Sequence, residues 1–393
     1  MNQQSPFHIQ TSINCYDLAH GFLPEQDPIL QLSNDFTHWE DVALSLPKLI
    51  TNTKIRPILE ALPAFKINAL SSPQENERAM LILSYIAHAY VWCDQFNPAT
   101  RLPANISQAW YQVSQKVERP PVLSYASYAL YNWCRLNPDL PVELGNIVLL
   151  QNFLGGADEE WFILIHVDIE HKAIPLISAL LPLIASMNTL DYQSAITQFD
   201  IVINAMQKIC KTLERMPEHC DPYIYFNRVR PYIHGWKGSE VLATGLIYSG
   251  VEAYGEKPVQ FKGETGAQST IIPCLDAVLG IQHKQTKLSE HLEEMRSYMP
   301  KDHHHFLLHL QNNGNIRALI EQAPCDIIER YNRCVELVFH FRSIHLNYAK
   351  SYIEQQEKKS PANSNLYGTG GTPFIQYLEK HQRETQSHLI KIK

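Results

Sequence analysis

The sequence predicts an all-α protein, and three observations carry that expectation. Long segments repeat apolar residues at helical spacing, alternating strand patterns are scarce, and glycine and proline cluster between the periodic segments rather than inside short ones. Residues 75–94 open with acids and are apolar nearly all round, as in a helix buried on most faces. Residues 158–190 begin with Asp158, Glu159 and Glu160, which suit the positive end of a helix, and Pro175 and Pro182 should kink or divide the segment. Residues 192–215 read as an amphipathic helix. Asp326 followed by Glu329 reads as a variant capping box opening a long helix over 326–355. Breaks at 120–121, 138–146 and 155–158 place a domain boundary within 138–156, giving a small N-terminal helical domain (1–145) and a larger C-terminal one (146–393). Residues 235–270 are rich in glycine and weakly periodic, so they should form loop that lines something. Residues 356–372 are polar and should form a mobile loop.

Composition excludes several classes. With 45% apolar and 19% charged residues among 393, the chain has material for a large core and is neither disordered nor fibrous. A formal charge of −7 provides no basic field for nucleic acid or an anionic membrane. The eight cysteines form no CxxC pair, which reads as reduced thiols and a cytoplasmic setting. The first ten residues lack the cationic and apolar regions of a secretory signal, and the longest apolar runs fall short of the ~18–20 residues that span a bilayer. No GxSxG, HExxH or dinucleotide fingerprint occurs. The 18 histidines are the anomaly.

His345 shares a helix face with Val338, Phe341, Tyr348 and Tyr352, so an imidazole sits within an apolar stripe. Two readings stand: a core histidine bonded to a carbonyl, or an axial haem ligand on a dry, aromatic wall. Periodicity does not choose between them. His166 repeats the pattern beside Phe162, Ile169 and Ala173, and two such helices would flank a haem on opposite faces. In His303-His304-His305, neighbours point about 100° apart, and only His305 with His309 has ligand spacing, so a solvated run is the better reading than zinc. Arg230, after Tyr223, Tyr225 and Phe226, suits a planar substrate bearing a carboxylate, or a structural ion pair. GTGGT at 368–372 has no following lysine and is no Walker loop.

In these stretches the chain resembles the indoleamine 2,3-dioxygenase family. The matching runs are AYVW (89–92), PPVLSYASYALYNW (120–133), VRPYIHGWKG (229–238), GAQST (266–270), CLDAVLGIQ (274–282), RSYMPKDHHHFL (296–307), RSIHLNYAKSYI (342–353) and GTGGT (368–372). They follow family order from about residue 13 onward. The resemblance implies haem b in a two-domain helical protein that inserts O2 across the indole C2–C3 bond of L-tryptophan, giving N-formylkynurenine, the first step of the kynurenine pathway. It implies His345 as proximal iron ligand, Arg230 as the carboxylate anchor, and Tyr225 and Phe226 in the distal pocket. Tyr125, Tyr128, Ala129, Phe162, Ile163, Thr265 and Gly266 match the indole wall, Thr369 the loop threonine near the substrate amino group, and Arg342 with Asp276 a proximal ion pair. His166 departs from the serine of animal and fungal members. It is similar instead to the histidine of tryptophan 2,3-dioxygenases that accepts the indole N–H. Tyr225 adds a hydroxyl where phenyl rings are usual, and Tyr128 replaces a smaller residue. The alternative expectation is a haem protein of this fold that binds O2, or oxidises another indole derivative, without ring cleavage. A monomer or weak oligomer served by an unknown reductant completes the expectation.

Overall fold

The computed structural model describes residues 18–52, 54–284, 287–359 and 374–392. The described chain is mainly helical, with two small sheets, and the all-α expectation holds. The first buried helix, Pro73–Trp92, starts on a complete capping box: Ser72 Oγ accepts from Glu75 N, and the Glu75 carboxylate accepts from Ser72 N. Its faces are covered all round, as its composition requires. The Thr37–Leu49 helix is clamped to it by Arg78, whose guanidinium grips buried Glu40 at 3.1 and 2.5 Å while Glu40 also accepts from Leu32 N. Removing one partner of such a buried pair costs roughly 3–5 kcal/mol.

Residues 158–190 divide as the prolines predict, but only once. One helix spans Ala157–Lys172 and the next Ile174–Asn188, with Pro175 in the first turn of the second. Pro182 lies inside that second helix without ending it. The packing of Leu180 and Leu183, both fully buried, outweighs the lost backbone bond. Residues 157–188 are together long and apolar enough to cross a membrane, yet half of the apolar window is buried in the fold and a break falls at Ala173. The long C-terminal helix, Cys325–Ala349, packs along Tyr192–Glu214, which packs on both halves of that pair, and Phe374–Gln386 lies against Cys325–Ala349. The capping box expected at Asp326 is absent. Pro324 holds the cap position, and Asp326 lies within the first turn, its carboxylate accepting from Ile327 N instead of capping the helix start.

Strands missed by the sequence reading are two or three residues long. Arg101–Leu102 pairs parallel with Leu246–Tyr248, which pairs antiparallel with Pro258–Val259. Cys134–Arg135 pairs antiparallel with Ile147–Val148. The buried apolar residues form two clusters. One joins the N-terminal helices to residues 232–251, and the other is built by the helices from Ile165 onward. Residues 232–251 thus pack with the first cluster although they lie beyond the expected boundary at 145/146.

Candidate functional site

The acidic start of the Ala157–Lys172 helix does more than face a dipole. Buried Glu159 accepts from Phe153 N and Leu154 N, both at 2.7 Å, and Glu160 accepts from Leu149 N. Asp158 accepts from Asp221 N at 2.6 Å, while Asp221 caps Tyr223 N and Ile224 N. Through that staple the segment bearing Tyr225 and Arg230 is fixed to the helix bearing Phe162 and His166. Three π-helical turns follow the same logic. They span Ala126–Leu130, Tyr225–Val229 and Lys350–Glu354, and each puts an extra residue into a helix and re-aims its aromatic side chains. Tyr125, Tyr225 and Tyr352, in or beside those turns, all border one cavity of about 350 Å³.

His166 and His345 both line this cavity, from different helices. The His166 ring approaches Phe162 (centroids 4.9 Å) and meets Tyr125 edge-on (6.0 Å). Its Nδ1 lies 2.7 Å from Phe162 O, so Nδ1–H donates there and the neutral ring keeps Nε2 as an acceptor. Burial holds its pKa below the ordinary value. His345 lies deep in the molecule, yet its ring keeps accessible surface because it faces the cavity. Among the described residues no group hydrogen-bonds to it. Burial lowers its pKa to about 4, with further lowering by His166 and Arg342, so it presents a neutral imidazole near neutral pH. Among the described residues no carbonyl pairs with His345, so its ring is not tied down as a hydrogen-bonded core histidine is. A neutral imidazole on an apolar cavity wall, with Phe341, Ile353, Leu213 and Ile209 around it, fits the donor set a haem iron needs.

Arg230 is 3% exposed, lines the cavity, and sets its guanidinium 5.4 Å from the Phe226 ring centroid. Burial pulls its pKa below the ordinary value, offset in part by Tyr225 and Glu357. The Tyr225 ring packs against Phe162, centroids 4.5 Å apart and planes tilted by 34°. Tyr125, Phe162, Thr265, Gly266, Asp276 and Arg342 join the lining. Tyr128, Ala129, Ile163 and Phe226 do not: they sit behind it in the core, Tyr128 against Phe162 and Tyr85, with no partner for its hydroxyl among the described residues. The reason is the Ala126–Leu130 π-turn, which sends Tyr125 to the cavity and Tyr128 inward. Thr369 and the GTGGT stretch lie outside the described residues, as does the expected loop from 360 on; residues 355–359 are helical.

Near His345, on the same cavity wall, Arg342 binds Asp276 at 2.6 Å and also donates to Thr385 Oγ1. Sequence reasoning missed what surrounds this pair. His283 stacks on His381 at 3.8 Å and bonds Glu384 at 2.9 Å, and its Nε2 lies 3.3 Å from Arg342. His283, His381 and Glu384 are close enough to share an ion. However, both nitrogens of His283 are already engaged, and the lone pairs of stacked rings run parallel instead of converging. The group therefore reads as a hydrogen-bonded wall. The run at 303–305 joins no such group; His303 packs on Phe22, with its pKa lowered to about 3 by burial, so it is not fully solvated. Two buried acids were also missed. Glu170 accepts from Tyr125 Oη and Ser269 Oγ, with burial pushing its pKa up to about 7. Glu264, set between glycine and threonine with no periodicity to mark it, lines the cavity itself.

A mainly helical fold that brings two neutral histidines and a buried arginine to one apolar cavity defines a haem-type oxygenase scaffold. The chain belongs to the indoleamine 2,3-dioxygenase family, whose pattern it matches over residues 12–388. It is 32% identical to indoleamine 2,3-dioxygenase 1 of Rattus norvegicus over 92% of each chain. It is 28% identical to indoleamine 2,3-dioxygenase 2 of Homo sapiens over 97% of this chain and 96% of the relative. To the indoleamine 2,3-dioxygenase of Saccharomyces cerevisiae it is 27% identical, over 94% and 92%. The protein is accordingly a haem-dependent oxidoreductase.

Proposed function

We propose that the protein cleaves the indole ring of L-tryptophan, adding both atoms of O2 across C2–C3 and releasing N-formylkynurenine, with haem b as its resident cofactor. The observation that carries this reading is the convergence of His345, His166 and buried Arg230 on one apolar cavity. Bound haem supplies the activation of dioxygen; the protein's own residues bind, orient and exclude water.

In this reading His345 would hold the haem iron, its neutral imidazole available because no protein group competes for it among the described residues. Arg342, held by Asp276, steadies that wall from behind and offers a cation to carboxylates at the cavity edge. Arg230 grips the substrate carboxylate through charge-assisted bonds, each contributing roughly 1.5–3 kcal/mol. His166 Nε2 accepts the indole N–H, since its Nδ1–H is committed to Phe162 O. Phe162, Tyr125 and Tyr225 pack against the ring and shed water from it, with Thr265 and Gly266 at its border. Phe226, under the Arg230 guanidinium, sets that group's position. Tyr128, Ala129 and Ile163 support the wall from the core. Thr369 completes the reading as a contact to the substrate amino group. The seven described cysteines are free thiols, which supports a reducing cytoplasmic setting.

The test is aerobic incubation of the reduced, haem-loaded protein with L-tryptophan, read by mass spectrometry. A product heavier by two oxygen atoms, both labelled from 18O2, is expected; a product with one added oxygen, or none, would reject the reading.

A further inference from the structure

The mechanism above leaves one cavity-lining charge unused. Glu264 is 4% exposed and lies in the same cavity as Arg230. The backbone fixes the two side chains relative to one another. Segment 233–237, which continues directly from Arg230, runs against segment 261–264. Glu264 N donates to Ile233 O at 3.2 Å, and Trp236 N and Lys237 N both donate to Phe261 O. Gly235 and Gly263 allow this contact: a Cβ on Gly235 would lie 2.2 Å from Gly263 N, so neither position accepts a side chain. Both groups also act through space on the Tyr225 hydroxyl, whose ionisation Glu264 opposes and Arg230 favours.

A buried carboxyl group and a buried guanidinium lining one aromatic cavity can together receive a zwitterion. We propose that Glu264 is a specificity-determining residue that receives the α-ammonium group of the amino-acid substrate while Arg230 receives its carboxylate. The assignment rests on the tryptophan reading and adds to it a reason to prefer amino acids over indole acids. An indole acid without an amine would satisfy Arg230 but bring Glu264 no ammonium, so the contact made by an amino acid, and the proton release that goes with it, would be missing. The ligand-free protein bears a second signature. Burial pushes the Glu264 pKa up to about 8, so near pH 7 the group is mostly protonated. An incoming ammonium favours the carboxylate, and the proton is released. Of the neighbouring titratable groups, Tyr85, Tyr125, Tyr128 and Tyr225 are raised by burial, His166 and His291 are lowered by it, and Arg230 is a cation. Glu170, bonded to Tyr125 and pushed up to about 7, is the other group able to give up a proton. Glu264→Gln separates the two, since it should abolish the release only if Glu264 is the source.

Calorimetric titration of the haem-loaded protein with L-tryptophan and with indole-3-propionate, in buffers of different ionisation enthalpy at pH 7, tests the assignment. The expected result is proton release with L-tryptophan alone. Glu264→Gln should weaken L-tryptophan tenfold or more, equivalent to about 1.4 kcal/mol, and leave indole-3-propionate unchanged or tighter. Glu264→Asp should keep most of the preference. An unchanged ratio between the two ligands in Glu264→Gln overturns the Glu264 assignment alone. If that variant does not fold, absence of proton release in the unaltered protein overturns it equally. Failure of the unaltered protein to bind L-tryptophan would overturn the substrate reading as well.

Discussion

His88 and His345 occupy equivalent settings in the sequence, each a histidine within an apolar helical stripe, yet the fold treats them oppositely. His88 is completely buried in the Pro73–Trp92 helix with both ring nitrogens engaged: Nδ1 with Tyr232 O at 2.8 Å, and Nε2 accepting from Leu123 N at 3.0 Å. It ties three chain segments together and has no lone pair to offer. His345 faces a cavity with no hydrogen bond among the described residues. Both have pKa values lowered to about 4, chiefly by burial. A shifted pKa therefore does not separate a structural histidine from a ligand. What separates them is where the ring nitrogens' partners are.

The widest separation should come from removing each ring in turn. His345→Ala should lose haem or hold it loosely while keeping its helical circular dichroism; a normal haem content and spectrum would break the contrast. His88→Leu should do the reverse. It orphans Leu123 N–H and Tyr232 C=O, each costing roughly 1–3 kcal/mol, so the thermal midpoint should fall while folded protein still takes up haem. A midpoint equal to that of the unaltered chain would show that these bonds hold nothing together.

Acid gives a finer view of His88. Its folded pKa of about 4 lies below the ordinary 6.5. The unfolded chain therefore binds more protons in between, and the stability from the neutral buried ring is present above pH 6.5 and lost as pH falls toward 4. At about 1.36 kcal/mol per unit, the loss approaches roughly 3 kcal/mol. Denaturant unfolding of the haem-free protein across that window should show a slope that His88→Leu reduces; equal slopes would point to other groups. Next in size, Arg230→Ala should weaken L-tryptophan binding at least tenfold and leave tryptamine, which has no carboxylate, nearly unaffected. Equal losses for both ligands would make Arg230 structural. The smallest effect belongs to His166→Ser. It should narrow the gap in turnover between L-tryptophan and 1-methyl-tryptophan, since the methyl removes the donor that His166 accepts. An unchanged gap would detach His166 from the indole nitrogen.

Much of this architecture was readable because 3.6-residue periodicity is local. The buried helix at 75–94, the division at Pro175 and the amphipathic helix at 192–215 all follow from neighbours within a few turns. Strands such as Arg101–Leu102 were not readable, because two residues cannot display a period of two. The π-turns likewise leave no periodic mark, so Tyr125 and Tyr128 looked alike in sequence and point to different places in the fold. His283 and His381 are nearly a hundred residues apart, and only the packing of Phe374–Gln386 makes them a stack. Glu264 was hidden for the opposite reason: its glycine-flanked segment has no pattern, and its burial depends on the backbone contact of Gly235 with Gly263. Asp326 shows the converse error, a local motif that goes unused because the helix already starts at Cys325, with Pro324 at the cap position.

The account turns on the division of labour between the two cavity histidines, and resonance Raman spectroscopy of the ferrous, substrate-free protein tests it most directly. Five-coordinate high-spin iron with an iron–histidine stretch is predicted, absent in His345→Gly and restored by added imidazole, and unaltered in His166→Ser. A six-coordinate low-spin spectrum that becomes five-coordinate in His166→Ser would contradict it, because His166 would then hold the iron instead of the substrate.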